Sequence, residues 1–269
     1  MIRDITIGQY YPGSSVIHRL DPRVKLLGTV LFVISVFLIS SIPAFIIVTA
    51  VLAGIIALSG VPLRFMLKGI KSIFIIIMLT FFFSLFLTPG DTLFRFGFLN
   101  ATVQGLKTGV YMVMRLSYLI MGSSMMTLTT TPNQLTDGLE KGLRFLNHVH
   151  VPVHEVAMMM SIALRFIPIL LEEMDRIMKA QQARGADFES GNLIRRAKGL
   201  VPLLVPLFIA AIRRANDLAM AMEARCYHGG EGRTKMKPLR YEKKDYIAYV
   251  LLLIYMAVII TLKIIKVVA

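Results

Sequence analysis

The sequence predicts an all-α membrane protein with about five transmembrane helices and two long amphipathic helices in a cytoplasmic segment. Composition is the first observation behind this prediction, because 56% of the 269 residues are hydrophobic and only 17% are charged. Average soluble domains hold about 25% charged residues. The second observation is that apolar runs of bilayer-spanning length recur along the chain. The third is that two long charged segments carry apolar residues at helical spacing.

Four segments are apolar enough, and close enough to the length of a membrane-spanning helix, to cross the bilayer: residues 24–40, 43–59, 70–88 and 246–262. A fifth, 109–130, contains Arg115 in its first two turns. We expect this side chain to extend toward the lipid headgroups, and a place between helices with a functional partner is the alternative. Gly105 and Gly109 have the spacing that allows another helix to approach closely.

Loop charges predict the orientation, since short cytoplasmic loops are enriched in Lys and Arg. Such residues precede the first span and separate the second from the third: Arg3, Arg19, Arg23, Lys25, Arg64, Lys68 and Lys71. We therefore expect a cytoplasmic N-terminus and an external C-terminus, although Lys263 and Lys266 oppose this rule. The predicted domains are 1–130, a cytoplasmic arm with four membrane helices; 131–245, a cytoplasmic domain; and 246–269, the last membrane helix.

The segment 131–245 holds most of the charged residues, and two amphipathic helices are predicted in it. In the first, Met159, Ile162 and Phe166 recur at helical spacing, while Arg165 and Glu172 lie on the other side. The second begins near the apolar run 200–212, which is too short to cross a membrane. Each helix is expected to extend over roughly 25 to 30 residues, or about 40 Å.

The two helices have similar C-terminal sequences, and this is the best internal repeat of the chain. One arginine follows an alanine in the last turn of each, as Ala183-Arg184-Gly185 and Ala224-Arg225-Cys226. Helix capping explains one such arginine, because a cation in the last turn stabilises the helix dipole by about 0.3–1 kcal/mol. Two parallel occurrences favour binding of a partner, since arginine pairs with carboxylates in a bidentate manner.

Other functional classes have weaker support. His148, His150 and His154 could bind a metal, but a solvated turn is the favoured interpretation. The chain has no G-x-x-x-x-G-K-[ST] phosphate loop and no evident nucleophile–base pair, so a membrane-embedded lipid-processing enzyme is a minor alternative. A self-sufficient channel or carrier is the second alternative. Charges of both signs in 131–245 argue against nucleic-acid binding.

Several motifs together resemble one known family. They are residues 8–25 (GQYYPGSSVIHRLDPRVK), Thr131-Pro132, 164–168 (LRFIP), 182–185 (QARG), 222–225 (MEAR) and Gly232-Arg233-Thr234. In this order, and over nearly the whole chain, they are similar to the transmembrane (T) components of energy-coupling factor transporters, which are ABC-type importers.

The resemblance implies a non-catalytic scaffold in the cell membrane of a prokaryote. The two amphipathic helices would be coupling helices that contact two ABC-type ATPase subunits, through Ala183, Arg184, Gly185, Ala224, Arg225 and Cys226. The T component would pass their motion to a membrane-embedded substrate-binding S component, for uptake of vitamins or transition-metal ions. The implied partners use the ATP, and this chain would bind no cofactor. Cys226 stands where the family favours glycine, which would cost about 1 kcal/mol if that residue has a positive φ.

Overall fold

The computed structural model describes residues 10–39, 41–96, 99–186, 188, 193–229, 236 and 238–268. Eight α-helices account for most of these residues, and the all-α prediction is confirmed. They are α1 (Pro22–Leu38), α2 (Ile42–Ser59), α3 (Leu63–Leu87), α4 (Val103–Thr129), α5 (Pro132–Gly142), α6 (Val153–Ala183), α7 (Leu193–Glu223) and α8 (Lys243–Val268). The motif residues Gly8, Gln9 and Gly232-Arg233-Thr234, and Arg3, lie outside the described residues.

The chain divides into two compact units. The first unit comprises Met1–Gly138 with Leu239–Ala269, and the second unit comprises Leu139–Pro238. The predicted domain 131–245 thus includes the second unit together with short stretches on both sides that pack within the first. The assignment of the three predicted segments to separate functional domains stays a prediction.

The core of the first unit lies among α1, α2, α4 and α8. Val36 and Val48 are fully buried there, and Tyr118 and Ile259 pack in the same cluster. Two hydroxyl pairs join helices, because Ser35 Oγ lies 2.5 Å from Tyr255 Oη, and Thr49 Oγ1 lies 2.5 Å from Tyr118 Oη. Ser35 and Thr49 also donate to carbonyl oxygens of their own helices. Polar groups in this apolar core are therefore satisfied internally, as a bilayer requires.

The predicted close approach at Gly105 and Gly109 is confirmed. A Cβ atom at Gly105 would lie 2.7 Å from the carbonyl oxygens of Ser84 and Leu85 on α3. One at Gly109 would lie 3.0 Å from the Phe81 ring. The α3–α4 connection also contains a short hairpin that the sequence did not predict, in which β1 (Thr92–Phe96) pairs antiparallel with β2 (Leu99–Thr102).

Arg115 on α4 contacts the C-terminal end of α1, and the extension of its side chain toward the lipid headgroups stays a prediction. Its Nη2 donates to the carbonyl oxygen of Ile39, the C-cap residue of α1, over 2.9 Å. A cation here satisfies a free carbonyl and stabilises the end of the α1 dipole. Arg115 Nε is buried without a hydrogen-bond partner among the described residues.

By length and composition, five described helical segments could cross a membrane: Ile42–Ser59, Leu63–Leu87, Val153–Ala183, Gly199–Glu223 and Lys243–Ile265. Three of these coincide with predicted spans. The 17-residue α1 and the more polar α4 are not among the five, although both pack in the helical core. The other two correspond to the predicted amphipathic helices and are the least apolar of the five.

Candidate functional site

The second unit is built on α6 and α7, which have 31 residues each and thus extend over about 46 Å. They pack against each other, and Arg214 Nη2 on α7 lies 2.7 Å from Glu173 Oε2 on α6. Prolines occur inside both helices, at Pro168 in α6 and at Pro202 and Pro206 in α7. The lengths slightly exceed the predicted 25 to 30 residues.

The C-terminus of α6 closes with a hydrogen-bonded backbone turn. Gly185 N donates to Gln182 O over 2.9 Å, and Ala186 N donates to Gln181 O over 3.0 Å. This pair of bonds is a Schellman motif, which requires a left-handed residue at its centre. Gly185 is that residue, with φ of 87°, and Arg184 is the C-cap residue just before it.

The C-terminus of α7 repeats this arrangement bond for bond. Cys226 N donates to Glu223 O over 2.8 Å, and Tyr227 N donates to Met222 O over 3.1 Å. Cys226 occupies the left-handed position with φ of 57°, and Arg225 precedes it as Arg184 precedes Gly185. The terminating turn therefore forms although cysteine, and not glycine, occupies its left-handed position.

Both arginine side chains are exposed. No other residue in the described ranges forms an ion pair or a side-chain hydrogen bond with either of them. The backbone turns already occupy terminal carbonyl groups of each helix, so a direct arginine–carbonyl cap is not formed. Ala183 and Ala224, one residue earlier, are exposed as well. Within the described residues, each helix end thus presents an exposed cation beside a small, exposed side chain.

Large apolar side chains are exposed along both helices. On α7 they follow one another over four turns, as Leu200, Val201, Leu204, Val205, Phe208, Ile209 and Ile212, with Phe208 67% exposed. On α6, Met159 is exposed, Ile162 and Phe166 are half-buried, and Arg165 is exposed. The predicted two-sided pattern is present. Its apolar side, however, is largely uncovered in the chain alone.

Two of the three candidate histidines contact other groups of the chain. His148 Nδ1 lies 3.2 Å from Phe145 O, and His154 Nδ1 lies 2.8 Å from Glu140 Oε1, which joins α5 to α6. No group of three His, Cys, Asp or Glu side chains within the described ranges could hold a metal ion.

A buried ionic group in the first unit was not predicted. We call it the anchor cluster: Asp21, Arg23, Lys25, Tyr241 and Asp245. Three of its charged groups are nearly inaccessible, since Asp21 is 6%, Lys25 9% and Asp245 2% exposed. The first three members belong to the LDPRVK motif, which the sequence analysis used only for the family resemblance. An aspartate immediately before the last apolar run was the remaining sequence signal.

Asp21 organises the start of α1. Its carboxylate accepts from Arg23 N over 2.9 Å, from Arg23 Nε over 3.0 Å and from Arg23 Nη2 over 2.8 Å. The first bond caps the helix N-terminus, and Pro22 at the first position suits the same function. Donating hydrogen bonds to the Asp21 carboxylate raises the pKa of the Arg23 guanidinium, which therefore stays charged.

Together these features define a polytopic α-helical membrane protein with two amphipathic helices that end in matching arginine-bearing turns. The sequence pattern of the CbiQ family, described as cobalt transport protein, matches residues 13–236. Energy-coupling factor transporter transmembrane proteins are similar over most of their length. That of Thermosediminibacter oceani is 54% identical, covering 93% of this chain and 94% of the relative. That of Bacillus subtilis is 46% identical, covering 98% and 100%. The chain therefore belongs to this family of transporter transmembrane components.

Proposed function

We propose that this chain is the non-catalytic scaffold of an energy-coupling factor importer. It transmits the motion of two ABC-type ATPase subunits through α6 and α7 to a membrane-embedded S component. The observation that carries this proposal is the pair of equivalent helix ends, with Arg184 and Arg225 exposed at the same position of the same turn. Two copies of one surface suit two ATPase subunits, whether these are identical or different.

The helix ends have the chemistry needed for such contacts. An arginine fork can pair with a carboxylate through two parallel hydrogen bonds. Here neither guanidinium must first leave a partner within the described part of the chain. Ala183 and Ala224 leave room beside each arginine, and Gly185 and Cys226 end the helix at once. We therefore assign these six residues to the ATPase contacts.

The exposed apolar faces fit the S component and the bilayer. Seven large apolar side chains of α7 between Leu200 and Ile212 are exposed, and α3 exposes Phe74, Ile75, Ile76, Met78, Leu79, Phe82, Phe83 and Leu87. Soluble monomers rarely expose such extended apolar surfaces. Long helices with one apolar and one charged side also suit a membrane interface. We infer that α6 and α7 lie at the cytoplasmic interface rather than cross the membrane.

The remaining parts of the proposal follow from this arrangement. The transporter resides in the cell membrane of a prokaryote, with the N-terminus and the second unit in the cytoplasm. ATP is hydrolysed by the partner subunits, and this chain binds no cofactor and no nucleic acid. The substrate is a vitamin or a transition-metal ion that the S component selects; cobalt appears in the description of the matching family.

Charge reversal at both helix ends tests the proposal. We expect the double variant Arg184→Glu with Arg225→Glu to insert normally and to lose ATP-driven uptake, because each end then repels the carboxylates that it bound. The matched control reverses Arg176 and Arg213, two exposed arginines of the same helices, and should retain uptake. Normal uptake and retained ATPase subunits in the first variant would show that the proposed mechanism is wrong.

A further inference from the structure

The two connections between the units are tied to a single place in the first unit. The chain leaves α4 through residues 129–138, the entry connection, and comes back to α8 through residues 239–245, the return connection. Both connections pack within the first unit. The anchor cluster contacts both of them, although its LDPRVK residues are more than 100 positions away from either in sequence.

Lys25 and Pro22 hold the entry connection. Lys25 Nζ donates to Thr129 O over 2.8 Å and to His18 O over 3.0 Å. Thr129 is the last residue of α4, so the ammonium group serves as a side-chain cap for that helix end. Further along, a Cβ atom at Gly138 would lie 2.9 Å from Pro22 Cβ, which means that α5 packs directly on the start of α1.

Asp245 and Arg23 hold the return connection. Asp245 Oδ1 accepts from Asp21 N over 2.8 Å, while Oδ2 accepts from Glu242 N over 2.8 Å. One carboxylate thus joins the residue before α1 to the middle of the return connection. The Arg23 guanidinium carbon lies 3.8 Å from the centre of the Tyr241 ring, within the range of a cation–π contact.

The hydrogen bonds of Lys25 and the bond from Asp21 N to Asp245 are buried, so their donors and acceptors cannot exchange partners with water. Asp245 and Lys25 are almost inaccessible to solvent. Each side chain forms two hydrogen bonds, and one of the two reaches a segment more than 100 residues away. A buried charge without partners is strongly unfavourable, so the group either forms with all its bonds or opens as a whole. It therefore resists partial displacement of a single connection.

We propose that Lys25 and Asp245 are positioning residues that fasten both connections to the membrane bundle, so that movement of the second unit reaches α4 and α8 instead of being absorbed in loose connections. This inference rests on the proposed function. It adds a set of residues buried within the first unit to the six exposed residues assigned to the ATPase contacts. The LDPRVK motif then holds both ends of the second unit in fixed positions on the membrane helices.

Spin labels on the two connections test this proposal. Asn133 and Lys243 are exposed on the entry connection and at the start of α8, and both are changed to labelled cysteine in a Cys226→Ser background. In the full chain in lipid nanodiscs, we expect Lys25→Met to widen the distance distribution about twofold, because the two connections then open independently. Lys68→Met removes an exposed lysine and is the matched control, with no change of width expected.

Transport completes the test, in complexes with the ATPase and S subunits. Lys25→Met should lower uptake per ATP hydrolysed about tenfold while ATP hydrolysis continues. Asp245→Asn keeps the side-chain shape but only one accepting oxygen, so it should lower uptake per ATP hydrolysed by a smaller factor. If Lys25→Met does not fold, Asp245→Asn serves as the test variant in its place. An unchanged distribution, or a wider one with normal uptake per ATP, would overturn the proposal. Failure of the proposed function can be distinguished from failure of this proposal, because the distance between the two spin labels is measured without any transport.

Discussion

The anchor cluster and the two arginine-bearing helix ends use the same kinds of side chain in opposite ways. In the cluster, Lys25 is buried and bonded to two carbonyl oxygens. At the helix ends, Arg184 and Arg225 are exposed, and the backbone turns form without help from their side chains. A cation whose bonds are complete inside the chain supports the fold, whereas a cation placed where the fold does not use it is available to a partner.

The largest expected effect on stability comes from breaking the anchor cluster. Asp245→Ala leaves the buried N–H group of Asp21 and the partly buried N–H group of Glu242 without their acceptor, so we expect a loss of about 2–4 kcal/mol in the free energy of unfolding. Unfolding of the detergent-solubilised chain by denaturant measures it. Lys244→Ala, at the neighbouring exposed position, is the control with a change below about 0.5 kcal/mol. Equal losses in both variants would show that the loss at Asp245 does not come from its buried hydrogen bonds.

An intermediate effect is expected at the two left-handed residues. Cys226→Gly should raise the free energy of unfolding by about 1 kcal/mol, because glycine adopts φ near 57° without strain. Gly185→Ala should lower it by a similar amount, since the added Cβ meets no atom within 4 Å and only the backbone strain changes. Thermal unfolding compares the pair. Shifts in the same direction for both variants would contradict the equivalence of the two turns.

The smallest effect on stability is expected from removing the arginines themselves. Arg184→Ala and Arg225→Ala should each change the free energy of unfolding by less than about 0.5 kcal/mol, because only the dipole interaction of an exposed cation is lost. The same denaturant titration measures this change. A loss as large as that of Asp245→Ala would show that the two arginines stabilise the fold. Their exposure would then no longer support a function in partner binding.

Sequence patterns predicted the long helices well, because apolar spacing and length are local properties. The parallel ends of α6 and α7 were visible for the same reason. The strain at Cys226 was considered only because the resembling family favours glycine at that position. The anchor cluster was not predicted, since its members are joined across more than 200 residues, as in the bond from Asp21 to Asp245. The hydrogen-bond partner of Arg115 was also not predicted, because it is a backbone carbonyl at the end of another helix, and carbonyls carry no sequence signal.

Site-specific cross-linking at the helix ends tests the central claim most directly. Cysteine at position 184 or 225, in a Cys226→Ser background and with the ATPase subunits co-expressed, should form adducts with those subunits through a short thiol–amine cross-linker. Cysteine in place of Arg165, an exposed position 19 residues before Arg184 on α6, should form far fewer. Adducts at both helix ends are the predicted result, and their absence at both ends in an assembled complex would contradict the account.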